Sequence, residues 1–157
     1  MKSAIAKVKS FHDLFRFSSY SLDNVNDKSS LDFLSHSLLR LSTKLEHESI
    51  RRQKEGDPSL YRAHLMIEEL GELIGALARK NEIDLADALA DLIYVVIGTA
   101  ITYDIPLNEV FNEVHRSNMT KTRSSSDDRM RSKEGNYRPP NIKKAIEHGR
   151  RNNVSVS

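Results

Sequence analysis

Apolar residues recur every three or four positions in six separate stretches of the chain, which is the spacing of amphipathic helices. The clearest stripe is Leu31, Leu34 and Leu38. The predicted helices are Ala4–Arg16, Ser30–Lys54, Ser59–Arg79, Asp84–Tyr103, Pro106–Met119 and Ile142–His148. Most of the four prolines and six glycines lie outside these stretches. The pattern therefore favours an all-α fold.

The signals for turns and helix starts lie in the polar segments between these stretches. We expect Ser30 to cap the second helix, Ser59 or Asp57 the third, and Asn141 the last. Residues 17–29 read as a loop, and residues 122–136, with a serine run and mixed charges, as a mobile segment. The expected organisation is an all-α domain over residues 1–121 followed by a flexible basic arm over residues 122–157, which contains the short last helix.

The net charge of +2 is unevenly distributed. Residues 116–157 contain eleven Lys or Arg and four Asp or Glu, a surplus of +7, which leaves −5 for the rest of the chain. This separation suits an anionic, metal-chelating ligand, although a solvated tail would have the same charge pattern.

The composition and the distribution of apolar residues exclude disulfides and thiolate metal sites and predict the cellular location. The chain has no cysteine, so disulfides and thiolate metal sites are excluded. Its first ten residues lack the apolar core of a signal peptide, and the longest uncharged run, Leu92–Tyr103, is too short to span a bilayer. We therefore expect a cytoplasmic protein without a membrane partner.

Carboxylates interrupt the apolar faces of the third and fourth helices. Glu72 follows Glu69 by three residues and Glu68 by four, and Asp91 follows Asp87 by four, so each of these pairs shares one helical face. A short turn near residue 81 would make the two helices antiparallel neighbours. With a rise of about 1.5 Å per residue, the position of that turn predicts that Glu72 lies level with Asp91.

Such acids, placed in an apolar bundle, need a counter-charge. An ionised carboxylate in apolar surroundings is costly unless it is paired or binds a cation. Neither Lys nor Arg occurs in residues 65–78 or 84–103. We therefore predict Mg²⁺, or alternatively Mn²⁺, because hard dications prefer oxygen ligands. The alternative for each acid taken singly is a solvated surface position, and Asp84 would suit the helix dipole at its N-terminus.

Three glycines occur inside predicted helices, where each costs about 1 kcal/mol relative to alanine. Close helix packing is the expected reason for Gly71. For Gly75 and Gly98, close packing and room for a ligand remain two possibilities.

The acidic segments resemble a known family. Glu68-Glu69-Leu70-Gly71-Glu72 is similar to the EExxE motif of the MazG-like all-α nucleoside triphosphate pyrophosphohydrolases, and the apolar run headed by Asp91 is similar to the end of their ExxD motif. The Glu position of ExxD holds Ala88, so either Asp87 supplies the carboxylate or residues 84–87 form a DxxD variant. Residues 113–121 and 133–142 also resemble segments of one subgroup.

This resemblance implies a four-helix-bundle-type domain with an extra N-terminal helix, and an enzyme that cleaves NTPs or dNTPs to a monophosphate and pyrophosphate. It implies that Mg²⁺ is held by Glu69, Glu72, Asp87 and Asp91, and that Glu68 or Glu69 activates water. It further implies a homodimer or higher homo-oligomer. The implied substrate contacts are Arg116 and Lys121 to phosphates, Asn118 to base or sugar, and Tyr94 stacked on the base. A favourable interaction with the C-terminal end of a helix would equally explain the two cations, and packing in the core would explain Tyr94.

Three other hypotheses were weighed against this one. A di-iron carboxylate bundle would need Glu-x-x-His pairs, and no histidine follows the acids at that spacing. A phosphoribosyl-ATP pyrophosphohydrolase shares the fold and the chemistry but not residues 113–121. A non-catalytic helical dimer could bind nucleic acid through its basic arm, but Tyr137 is the only aromatic residue there, so nucleic acid is an unlikely partner.

Overall fold

The computed structural model describes residues 1–17, 19–52, 56–123, 131–132 and 135–154. Its helices are α1 (Lys2–Phe15), α2 (Lys28–Arg51), α3 (Ser59–Arg79), α4 (Glu82–Thr102), α5 (Leu107–Asn118) and α6 (Ile142–Val154), with a 3₁₀ turn at Leu22–Asn24. Two short strands, β1 (Thr122–Arg123) and β2 (Arg131–Ser132), pair antiparallel with Thr122 opposite Ser132. The predicted all-α class is confirmed. The mobility predicted for residues 122–136 concerns mostly residues outside those described.

Three helices begin two residues earlier than predicted, namely α1, α2 and α4, and an upstream side chain caps the last two of them. The Asp27 carboxylate accepts a hydrogen bond from the Ser30 backbone N–H at 3.2 Å, so Asp27, and not Ser30, is the cap of α2. The Asn81 side chain accepts from the N–H groups of Ile83 and Asp84, so α4 starts at Glu82. Both predicted starts overlooked an Asp or Asn just before the apolar pattern.

The remaining helix ends show where the capping predictions held. Asn141 caps α6 by accepting from the Lys144 N–H at 3.1 Å, as predicted, and that helix extends beyond His148 to Val154. The predicted cap of α3 by Ser59 or Asp57 is wrong, because the N-cap is Pro58, which makes no side-chain cap; Asp57, one residue earlier, accepts from the Ser59 N–H at 2.8 Å. The predicted end of α2 at Lys54 lies outside the described residues.

Residues 20–103 form one compact unit, in which α2 packs against α3 and α3 packs against α4. Small side chains dominate its interior: Ala76, Ala88 and Ala100 are buried. The hydroxyl of Ser35 donates to the Gly71 carbonyl at 2.8 Å, and a Cβ at Gly75 would lie 2.8 Å from the same hydroxyl oxygen. Close approach of α2 therefore explains Gly71 and Gly75, and no ligand space is needed there.

A second unit comprises residues 1–19 and 104–157, where α5 packs against α6 and α1. Gly149 of α6 lies directly against Pro106, at the start of α5, so closely that a Cβ on Gly149 would overlap the proline ring. Arg150 also pairs with the Asp104 carboxylate at 3.2 Å. The last helix, which we assigned to a flexible arm, is thus packed on α5 within this unit.

Helix α4 leaves many apolar side chains uncovered in the single chain. Tyr94 is 78% exposed and Ile101 75%, and Ile93 and Ile97 are also exposed. In the described part of the chain, α4 is the one helix long and apolar enough to cross a membrane, with a mean hydropathy of 1.7. The sequence analysis had considered only the uncharged run Leu92–Tyr103, which is shorter than the whole helix and too short to span a bilayer. One such helix is weak evidence for a membrane protein, because core helices of soluble proteins have the same composition.

Candidate active site

The five acids lie near one another on neighbouring helices, with Glu69 at their centre. The pKa of Glu69 is raised, first by its partial burial and then by the negative charges of Glu72, Asp91, Glu68 and Asp87. The predicted convergence of carboxylates from α3 and α4 therefore agrees with the electrostatics of the structure. Like charges at this range raise the pKa of a carboxyl group because they disfavour its ionised form.

The degree of burial differs from the prediction. Glu72, Asp87 and Asp91 are exposed in the single chain, and Glu68 and Glu69 are half-buried. The expectation that these acids occupy an apolar interior is therefore wrong, because Asp87 and Asp91 lie on uncovered positions of α4 and Glu72 lies on an uncovered position of α3. Their mutual repulsion, and not the full cost of burial, is what a bound cation would relieve.

The side chain of Arg62 on α3 makes hydrogen bonds to α4. Its guanidinium donates to the Val95 carbonyl at 2.7 Å and to the Thr99 hydroxyl at 3.1 Å, and it fills the space beside Gly98. Among the acids of α4, Asp91 raises the pKa of Glu69 more than Asp87 does, after the larger effects of burial and Glu72. The level pairing of Glu72 with Asp91 stays a prediction.

Asp84 is separated from the cluster by an ion pair. Its carboxylate accepts from the Arg79 guanidinium at 3.0 Å across the α3–α4 turn. Asp84 is also absent from the charges that raise the pKa of Glu69, whereas Asp87 is among them. Of the two alternatives for the missing glutamate of ExxD, this geometry favours Asp87.

The donor set suits a hard dication. Glu69, Glu72, Asp87 and Asp91 offer only oxygen, which Mg²⁺ and Mn²⁺ prefer, and their repulsion would be relieved by positive charge. Among the described residues, however, no group of three or more His, Asp or Glu side chains is gathered closely enough to hold a metal ion. The fit therefore rests on chemistry and proximity rather than on a preformed coordination shell.

A buried polar pair supports one end of the cluster, and the sequence analysis missed it. The Ser42 hydroxyl of α2 lies 2.8 Å from Nδ1 of His64 on α3, and Nε2 of His64 lies 3.6 Å from the Glu68 carboxylate. Ser42 is 2% exposed and His64 6%. The available signal was a histidine four residues before Glu68, on the same helical face.

The predicted phosphate-binding cations, Arg116 and Lys121, belong to the unit of residues 1–19 and 104–157, whereas the acids belong to the unit of residues 20–103. The Arg116 guanidinium makes two hydrogen bonds of 2.8 Å to Glu113 and one of 3.0 Å to the Pro139 carbonyl. Arg116 and the Asn141 N–H together lower the pKa of Glu113 to about 2. Arg116 thus helps to join α5 to the segment before α6.

The other predicted substrate contacts have fewer partners described. Asn118 and Lys121 are half-buried at the end of α5, where the Lys121 backbone N–H donates to the Asn118 carbonyl at 3.1 Å. Tyr94 is on the exposed face of α4, so the alternative that it packs in the core of the chain is wrong. Its ring is open to a base or to a partner chain.

Comparisons with known proteins support the same assignment as the motifs. A family model described as phosphoribosyl-ATP pyrophosphohydrolase matches residues 36–118, which is more than half of the 157 residues. The match includes all five acids and most of α2. No curated protein and no solved structure gives a significant match. The chain therefore belongs to the phosphoribosyl-ATP pyrophosphohydrolase family, a member of the MazG-like all-α superfamily of enzymes that hydrolyse phosphoanhydride bonds.

Proposed function

We propose that this protein hydrolyses a nucleoside or deoxynucleoside triphosphate to the monophosphate and pyrophosphate, with Mg²⁺ as cofactor. The main support is Glu69, a half-buried carboxylate whose pKa is raised first by its burial and then by four neighbouring acids. A fold gains nothing from such repulsion unless a cation relieves it, and perturbed acids of this kind are typical of functional sites.

Each acid has a proposed role in this chemistry. Glu69, Glu72, Asp87 and Asp91 would hold the metal, which supplies charge neutralisation at the phosphate oxygens. Glu68 is at the edge of the cluster and is our first choice to accept the proton of the attacking water, with Glu69 as the alternative. The bond broken is the anhydride between the α and β phosphates.

Substrate contacts outside the acids rest mainly on the family resemblance. Lys121 is proposed to bind the phosphate chain, Asn118 the base or sugar, and Tyr94 the face of the base. Arg116 would serve as a phosphate ligand after exchanging its Glu113 partner for the substrate. Its present contacts support a structural role at the same time.

The family match favours a second candidate, phosphoribosyl-ATP. This substrate also has a triphosphate group, so the same acids would cleave the same bond and release pyrophosphate. The two candidates differ in the base and its extra phosphoribosyl group, and the acidic cluster does not distinguish them.

A substrate panel tests the proposal and separates the candidates. We would assay the four NTPs, the four dNTPs and phosphoribosyl-ATP with Mg²⁺ and follow pyrophosphate release, with EDTA as the control. Turnover of a standard nucleotide supports the first candidate, and turnover of phosphoribosyl-ATP alone supports the second. Absence of Mg²⁺-dependent pyrophosphate release from every substrate would refute both, and salt-sensitive binding to DNA would then favour the non-catalytic alternative.

The proposal includes a homodimer that covers α4. The exposed apolar side chains of this helix, among them Ile97 and Ile101, form a face that a soluble chain does not leave in water without reason. A second copy would cover that face and bury the neighbouring acids more deeply. Tyr94 lies on the same exposed helix, so the partner would also shape the site.

A further inference from the structure

Ser42, His64 and Glu68 form a connected series that extends from the interior of the α2–α3 contact to the acidic cluster. Ser42 and His64 are both buried, and they are among the few buried polar side chains of the described part. Their contact of 2.8 Å joins two different helices. Glu68, at the other end, keeps a side-chain exposure of 39% and is therefore accessible from outside.

The order of residue types resembles a nucleophilic triad, but the burial excludes that chemistry. A serine nucleophile must reach the substrate, and Ser42 is 2% exposed between two helices. The accessible end of the series is the carboxylate. Buried Ser42 and His64 therefore orient the accessible Glu68 carboxylate, and Glu68 does not activate Ser42.

The ring nitrogens of His64 are best satisfied by one arrangement of protons. If the Ser42 hydroxyl donates to Nδ1, then Nε2 bears the ring proton and directs it toward the Glu68 carboxylate, 3.6 Å away. The opposite tautomer would leave a bare Nε2 facing a carboxylate, with two acceptors in contact. The first arrangement needs no charge on the buried ring, which avoids the cost of burying one.

We infer that His64, oriented by Ser42, is a positioning residue that fixes the Glu68 carboxylate for its work at the acidic cluster. This inference rests on the proposed function, since it assigns a supporting group to the proposed proton acceptor. Among the described residues, His64 is the one side chain paired with the Glu68 carboxylate, so without His64 the long side chain of Glu68 would sample several rotamers. Fixing a reacting group in one geometry lowers the barrier of the chemical step.

Two isosteric substitutions separate positioning from simple structural support. His64→Gln keeps an N–H donor near the place of Nε2, and His64→Asn keeps a polar atom near the place of Nδ1. If His64 positions Glu68, His64→Asn lowers kcat by about tenfold or more with little change in KM, and His64→Gln retains more activity. If His64 only satisfies Ser42, the order of the two variants is reversed. That reversed order would overturn the inference.

The effect should also depend on Glu68. In a Glu68→Gln background, we expect the difference in kcat between the His64→Asn and His64→Gln variants to disappear, because the group that His64 positions has lost its function. An undiminished difference in that background would contradict the inference. His47→Asn, at an exposed position of α2, is the matched control and should leave kcat unchanged.

A measurement that needs no activity keeps the inference testable if the proposed function fails or a variant does not fold. Long-range ¹H–¹⁵N correlation spectra of the wild-type protein report which ring nitrogen of His64 is protonated. Protonated Nε2 supports the inference, and an unprotonated Nε2 overturns it. Absent pyrophosphate release combined with protonated Nε2 would refute the proposed reaction and retain the His64–Glu68 contact.

Discussion

At the scale of single residues, Glu69 shows how a site is maintained at a cost to the fold. Its raised pKa means that the ionised form is less favourable in the folded protein than in the unfolded chain. The folded state then binds more protons than the unfolded state at pH values between the ordinary value near 4.5 and the raised value. Stability therefore falls as the pH rises through that window, and the full penalty remains at neutral pH.

We expect Glu69→Gln to raise the melting temperature at pH 7 and to lower turnover by about 100-fold or more, because it removes both the repulsion and a metal ligand. The gain in stability should shrink below pH 4.5, where the wild-type carboxyl group is itself protonated. Addition of Mg²⁺ should raise the melting temperature of the wild type more than that of the variant. Thermal scans across pH and Mg²⁺ concentration measure all three effects, and a lower melting temperature of the variant at pH 7 would contradict the proposed repulsion.

Glu72→Gln and Asp91→Asn should each lower kcat by about two orders of magnitude while helicity is preserved, as expected when a ligand of the metal is lost. Asp84→Asn is the matched control, because Asp84 is engaged by Arg79, and it should stay within about twofold of wild type. Steady-state kinetics and far-ultraviolet circular dichroism are sufficient. Full activity of both Glu72→Gln and Asp91→Asn would remove these residues from the mechanism.

At the scale of helices, the contacts around a glycine determine whether its replacement by alanine stabilises or destabilises the fold. An exposed glycine inside a helix normally gains about 1 kcal/mol on replacement by alanine. At Gly149 we expect the opposite sign, with a loss of about 1–3 kcal/mol, because the new methyl group would overlap Pro106 and push α6 away from α5. Urea unfolding of Gly149→Ala measures this loss, with Asn152→Ala at an exposed position of α6 as the control. Equal stability of Gly149→Ala and wild type would show that α6 can shift at no cost.

The sequence predicted the helices well because each has a long apolar stripe, and their starts less well because capping depends on one side chain. The side chains of Asp27 and Asn81 accept hydrogen bonds from backbone N–H groups before the apolar pattern begins, and apolar periodicity does not predict which residue forms the cap. Helical spacing placed the acids on α3 and α4, where Glu72, Asp91, Glu68 and Asp87 all act on the pKa of Glu69, and their roles stay predictions. Arg62 joins α3 to α4 through contacts that span 33 and 37 residues, and helical spacing does not predict such contacts. The Ser42–His64 contact, between residues 22 apart, likewise depends on tertiary packing.

At the scale of the whole molecule, the uncovered face of α4 determines the expected assembly. We expect light scattering to show a homodimer, and Ile97→Asp combined with Ile101→Asp to yield monomers, because charge on a buried interface is costly. Ile50→Asp, at an exposed apolar position of α2, should leave the assembly unchanged. A monomeric wild-type protein at micromolar concentration would refute the dimer, and recovery of the chain with lipid vesicles would point to a membrane surface in its place.

The ion pair across the turn between α3 and α4 has a consequence for cation choice. Arg79 neutralises Asp84, so an arriving ion meets one fewer negative charge than the number of acids in the segment suggests. In a variant with a neutral residue in place of Arg79, Asp84 would lose its ion pair and would add its negative charge to that of nearby Asp87. The acidic cluster would then have one more negative charge close by, so its acids would repel one another more strongly and would attract the proposed cation more strongly. One guanidinium outside the site thus adjusts the field strength of the site.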